Sequence, residues 1–300
     1  MHTVNRQRNR QEHLLEVKSF LQKEFTHRNW DLSLPHSYGN ETYIAKGKTN
    51  AYFVKLRSPV ANYQAMASLG LSPQIITTGS LDDGTSIMVQ PFIQGKIPNR
   101  HDFQIHLEQF AGMLGKMHHS GLIRNILPAT STELYSQLGL QVLDRLQQRW
   151  EQYKFLVPSE AAWVDEKITW LSNQLRELPG SGLVASHNDI CNANWLITPQ
   201  GQIYLIDLDA MSLDDPATDL GAILWWYYPP ELRKRFIEHA GYVYDELLRH
   251  RLYLRMAIHC LHIILPRDQS YDQFEPANFT KALTDFKAVI NGKENPQGYN

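Results

Sequence analysis

The stretch from Ser186 to Leu220 gathers the side chains best suited to chemistry. It opens with His187-Asn188-Asp189-Ile190-Cys191-Asn192-Ala193-Asn194, a loop of the form H-x-D-x-x-x-x-N. It continues through Ile206-Asp207-Leu208-Asp209 to Asp214-Asp215-Pro216-Ala217-Thr218-Asp219-Leu220. Phosphoryl transfer asks little covalent help of a protein. It needs a carboxylate to orient the attacking hydroxyl, ligands for Mg²⁺ and a cation on the phosphates. Asp189 can supply the first, with Asn194 and Asp207 as an amide oxygen and a carboxylate for the metal. Two protein ligands suffice, because magnesium fills its remaining positions with phosphate oxygens and water. A lone aspartate more often caps a turn or helix than catalyses, so the weight lies in the ordered set.

Those residues must be held by elements. Trp195 to Ile197 and Ile203 to Ile206 read as the strands of a hairpin around the turn Thr198-Pro199-Gln200-Gly201. Upstream, Leu14, Leu15, Val17, Phe20, Leu21 and Phe25 recur at helical spacing, which predicts an amphipathic helix over Gln11 to Phe25. Tyr43 to Ala45 and Ala51 to Leu56 are β-rich runs around the turn Lys46-Gly47-Lys48-Thr49-Asn50. A short helix is expected from Val60 to Leu69, stopped by Gly70 and Pro73. Strands follow at Gln74 to Thr78 and Ser86 to Val89, parted by Asp82-Asp83-Gly84. Beyond Gly95 the pattern turns helical, over Asp102 to His118, Glu133 to Tyr153, Glu160 to Leu175 and from Pro216 onward. Gly47-Lys48-Thr49 imitates a phosphate-binding loop, but Thr42 stands where its first glycine belongs and a strand follows instead of a helix.

Composition narrows the classes. At 300 residues the chain exceeds what one hydrophobic core usually serves. It is 43% hydrophobic and 20% charged with a net charge of −2, a balance with no basic footprint for nucleic acid or an anionic membrane surface. Cys191 and Cys260 cannot build a disulfide framework. The polar, basic segment Met1 to His13 has no secretory apolar run, so a cytoplasmic protein is expected.

Residues 187–194 and 206–209 resemble the catalytic loop and metal motif of the aminoglycoside phosphotransferase and choline kinase superfamily. Asp214 to Leu220 resembles that family's D-P-x-x-D-L helix start, and Leu114-Gly115-Lys116-Met117-His118 the L-x-x-L-H end of another helix. The resemblance covers roughly residues 35–228. It implies an α+β, protein-kinase-like fold, with an antiparallel-sheet lobe over residues 1–93 and a helical lobe over 94–300. It implies transfer of the γ-phosphate of ATP, with Mg²⁺, to a hydroxyl of an aminoglycoside, an amino alcohol or a similar small molecule. Asp189 resembles the catalytic base, Asn194 and Asp207 the metal ligands, and Lys55 the strand lysine on the phosphates. Gly39 matches the glycine of the nucleotide-covering loop. Ile87 to Phe92, including Gln90 and Phe92, resembles the hinge whose backbone meets adenine. A monomer or homodimer without nucleic-acid or membrane partners is implied. Trp225 to Tyr228 read as helix core, with one edge open to the acceptor.

Departures from the family pattern stand beside these matches. Asn188 replaces the usual glycine and Cys191 a frequent histidine. The helix after Lys55 lacks the glutamate that normally pairs with the lysine, which leaves Asn62, Gln64 or Glu41 to orient it. That gap raises a rival reading, a nucleotide-binding module with weak or no catalysis. A protein kinase is the other rival, disfavoured because no D-F-G, no A-P-E and no long activation segment follow Asp207.

Overall fold

The computed structural model describes residues 2–26, 29–35, 42–265 and 276–299. In chain order, helix α1 (His2–Glu24) precedes β1 (Asp31–Ser33), β2 (Thr42–Lys46) and β3 (Ala51–Leu56). Then come α2 (Val60–Ser68), β4 (Thr77–Ser80), β5 (Ser86–Pro91), α3 (Arg100–Ile105), α4 (Leu107–His118) and α5 (Gly121–Ile126). The long helices α6 (Tyr135–Tyr153) and α7 (Pro158–Arg176) lead to the short strands β6 (Val184–Ser186), β7 (Trp195–Ile197), β8 (Ile203–Leu205) and β9 (Ser212–Asp214). Four helices close the chain: α8 (Ala217–Tyr227), α9 (Pro230–His239), α10 (Glu246–Ile264) and α11 (Pro276–Ile290). The chain forms two compact units. One joins Met1–Lys96 to Leu196–Asp209; the other joins Ile97–Trp195 to Ala210–Asn300.

The first unit is built on an antiparallel sheet of five strands in the order β1-β2-β3-β5-β4. The interior strands β3 and β5 pair from Tyr52↔Pro91 to Leu56↔Ile87, which sets Lys55 opposite Met88. Val17 and Leu21 of α1 bury against Tyr43, Ala45, Val54, Leu56, Ile87 and Val89 of the sheet. That is the periodic face of α1 meeting one face of the pleat. The Leu196–Asp209 segment is tied into this unit by main-chain bonds. Leu205 N–H donates to the Leu71 carbonyl at 2.8 Å, and Lys96 and Ile197 exchange bonds of 2.9 Å.

The second unit is helical around a small ribbon. Antiparallel strands β6 and β9 pair from Val184↔Asp214 to Ser186↔Ser212, so the loop His187–Asn194 departs from one strand of a fixed pair. Helix α3 starts at Arg100 because Asn99 and Asp102 form a reciprocal capping box, each side chain taking the other's backbone N–H. Helix α10 is capped by Asp245, which accepts from Leu248 N–H at 2.7 Å. Phe103, Phe110, Trp195, Tyr227 and Tyr228 make one aromatic core, with Phe103 stacked on Tyr227 at 4.1 Å between centroids. No described helix is long and apolar enough to cross a membrane.

Candidate active site

Within the first unit, Lys55 is 4% exposed, a burial that an ammonium tolerates only with partners. It has three. Its Nζ lies 2.6 Å from Asp207 Oδ1, 2.9 Å from Asp209 Oδ2 and 2.9 Å from the Tyr63 hydroxyl. Burial alone would pull the Lys55 pKa down; the Tyr63 oxygen and the two carboxylates outweigh it and hold the ammonium above its ordinary value. Tyr63 O–H donates to Asp209 Oδ1 at 3.0 Å, and its oxygen also accepts Leu208 N–H at 3.1 Å. Burial, the largest influence, raises the Tyr63 pKa, so the phenol is neutral at physiological pH.

The residue that orients Lys55 from α2 is therefore Tyr63, where Asn62 and Gln64 were expected. Asn62 instead donates to the Leu208 carbonyl at 3.2 Å, anchoring the turn that carries Asp207 and Asp209. Glu41 and Gly39 lie outside the described residues. An aromatic on the buried side of a short helix looks like core in a sequence, and only the register of α2 against residues 207–209 sets Tyr63 apart. Asp207 has a left-handed backbone with φ of 60°, an uncommon state for a residue other than glycine. Its side chain is 49% exposed, whereas that of Asp209 is 20% exposed with both oxygens committed to Lys55 and Tyr63.

Gln90 is buried on β5, and its side chain donates to the Pro73 carbonyl at 2.6 Å. Phe92 follows at the strand end. Its N–H donates to the Ala51 carbonyl at 3.0 Å and its ring is 37% exposed.

Within the second unit, the loop after β6 hangs from one carboxylate. Asp219 is 1% exposed and accepts His187 N–H at 2.7 Å, Asn188 N–H at 2.9 Å and a 3.1 Å contact from His118 Nε2. Burial pushes the Asp219 pKa up most; the His118 hydrogen bond leads the influences that outweigh it, and the carboxyl stays below its ordinary range. Asn188 has φ of 63°, and its side chain donates to the Ala210 carbonyl and to Ser212 Oγ. The glycine usual there is thus replaced by the residue that best tolerates left-handed backbone among those with a side chain.

Further along the same loop, Asn194 Nδ2 donates to Asp189 at both its carbonyl, 2.7 Å, and its carboxylate Oδ2, 3.1 Å. The loop fixes Asp189 through the amide nitrogen of Asn194, which leaves the amide oxygen as the atom for a cation. Asp207 and Asn194 each offer the hard oxygen that magnesium takes alongside phosphate and water, so the donor types fit that ion. Asn192 N–H donates to the Tyr227 hydroxyl at 2.8 Å, joining the loop to α8. Trp225 and Tyr228 are fully buried, but Trp226 and Tyr227 line a cavity of about 520 Å³ together with Arg100, Asn192 and Lys281.

Solved structures share this protein-kinase-like fold. A choline/ethanolamine kinase family protein from Mesorhizobium loti is 17% identical over 87% of this chain and 88% of that one, with a TM-score of 0.64. Spectinomycin phosphotransferase, solved with ADP and spectinomycin, is 16% identical over 91% and 93% of the chains, at 0.62. The GDP complex of aminoglycoside 2'-phosphotransferase-IIIa is 13% identical over 93% and 98%, at 0.64. Identities this low speak for the fold alone. The sequence model of the phosphotransferase enzyme family, however, matches residues 19–253, and the chain belongs to that family.

Proposed function

We propose that this phosphotransferase moves the γ-phosphate of ATP onto a hydroxyl of a small molecule, with Asp189 as the base that orients the hydroxyl and accepts its proton. The observation that carries the reading is the pairing of Asp189 with Asn194 in a loop whose backbone is suspended from buried Asp219. A base must be held within hydrogen-bond reach of its proton before its acidity matters, and this loop holds one.

In this reading Lys55 takes the nucleotide phosphates, and Asp207 and Asn194 bind Mg²⁺. When bound, magnesium neutralises charge on the transferring phosphoryl group. Gln90 and Phe92 lie on the segment assigned to the adenine. Gly39, in the glycine loop, would cover the phosphates. The three partners of Lys55 supply the orientation whose apparent absence motivated an inactive module, so an active enzyme is the stronger reading.

The acceptor is assigned to the cavity beside Asn192, Trp226 and Tyr227. Arg100 is set in its wall by donating to the Trp226 and Gln297 carbonyls. Lys281 joins it, and no carboxylate is among the described lining residues. A polycationic aminoglycoside would meet like charge on these walls. A compact neutral or anion-bearing alcohol suits them better.

The test is magnesium-dependent ATP and GTP consumption against a panel of amino alcohols, aminocyclitols, sugars and sugar acids. Asp189→Asn should lower turnover of the responding acceptor on the order of 10³-fold. Turnover within about tenfold of wild type would remove Asp189 from its assigned role.

A further inference from the structure

The ammonium of Lys55 has three N–H groups, and its three partners account for all of them: Tyr63, Asp207 and Asp209. The Tyr63 oxygen is used as completely. A phenol hydroxyl has one hydrogen to give and two positions to accept. It gives to Asp209 and accepts from Lys55 and Leu208 N–H. The side chain is 2% exposed, so it is held in this arrangement by its surroundings on α2.

We infer that Tyr63 is a positioning residue for the phosphates of the nucleotide, keeping Lys55 aligned when Asp207 turns from the lysine to a metal ion. The inference rests on the nucleotide reading above and extends it to a residue that the family pattern does not supply. Asp207 makes the shortest contact to Lys55, at 2.6 Å, and is also the half-exposed member of the set. If its carboxylate serves a cation, Lys55 keeps Asp209 and Tyr63. Asp209 in turn accepts from the Tyr63 hydroxyl, so that one oxygen touches both remaining partners of the set.

The choice of a phenol has an electrostatic reason. Lys55 with Asp207 and Asp209 already carries one net negative charge. A glutamate in place of Tyr63 would make it two, at the site where polyanionic phosphates must approach. Like charges a few ångströms apart repel strongly in a partly buried site. A neutral hydroxyl gives the lysine an acceptor without adding to that repulsion.

Calorimetric titration tests this without any acceptor. A non-hydrolysable ATP analogue with Mg²⁺, and separately adenosine, are titrated into wild type, Tyr63→Phe, Lys55→Met and the double variant. Tyr63→Phe is expected to weaken the analogue about tenfold, the loss of one or two hydrogen bonds to a charged group. It should leave adenosine within about twofold, and it should add nothing in the Lys55→Met background. A merely structural tyrosine would weaken both ligands alike, or would weaken them equally with and without Lys55. Either result overturns the inference, as does analogue binding by Tyr63→Phe that matches wild type. Should Tyr63→Phe fail to fold, Tyr63→Leu, which likewise removes the hydroxyl, is read against the same criteria. A wild-type protein that binds no nucleotide removes the functional reading and the inference together. Normal wild-type binding with an indifferent Tyr63 removes the inference alone.

Discussion

At the scale of single residues, the proposed chemistry rests on carboxylates whose surroundings differ. Three donors converge on Asp219, two of them backbone N–H groups of the loop that carries Asp189. Replacing Asp219 by asparagine turns an amide toward backbone N–H donors and should cost about 3 kcal/mol, measured by urea unfolding. Its acidity gives the sign of a pH effect. An unfolded Asp219 titrates near 3.8 and the folded one below that. Its contribution is therefore complete above the unfolded value and is lost as pH falls through the folded value. Unfolding free energies taken between about pH 5 and 3 should decline more steeply in wild type than in Asp219→Asn. The motif itself was legible residue by residue, since Asp189, Asn194 and Asp207 occupy a fixed spacing. Tyr63 was not, because no spacing rule separates a lysine-orienting phenol from an ordinary buried aromatic.

At the scale of elements, most expected segments match, β3, α2 and β7 among the short ones and α6 and α7 among the long, whereas α1 begins at His2 and not at the expected Gln11. Glu133 to Tyr153 and Glu160 to Leu175 correspond to α6 and α7 within two residues. The single helix expected from Asp102 to His118 is two, because His106 leaves helical geometry at φ −103° and ψ 25°. One such residue leaves the apolar stripe intact, so periodicity does not reveal it. The strand expected at Gln74 to Thr78 lies at Thr77–Ser80, where pairing with β5 fixes its register. Strands β6 and β9, three residues each, are too short to show alternation, although the loop that carries Asp189 leaves from β6. Packing between helices supplies a sharper test. A Cβ on Gly115 of α4 would press into the Ala240 carbonyl at the end of α9, whereas one on Gly112 of the same helix would meet nothing within 4 Å. Gly115→Ala should therefore destabilise by about 2 kcal/mol. Gly112→Ala should stabilise by up to about 1 kcal/mol. Chemical denaturation of the pair decides it.

At the scale of the molecule, the division into two units does not follow the order of the chain. The Leu196–Asp209 segment belongs with Met1–Lys96, and it brings both carboxylates that balance buried Lys55. A fragment of residues 1–96 would bury that ammonium with Tyr63 alone, and an uncompensated buried charge costs about 3–5 kcal/mol. Such a fragment should show a shallow, non-cooperative thermal transition by circular dichroism. Adding a peptide of residues 196–209 should sharpen it. The interleaving also imposes a schedule on the ribosome. Residues 97–195 must emerge before the first unit's missing piece exists. At ordinary elongation rates that is a wait on the order of ten seconds. For that interval the nascent sheet carries a cation with no counterion, and chaperones that hold exposed chain would have their opportunity then.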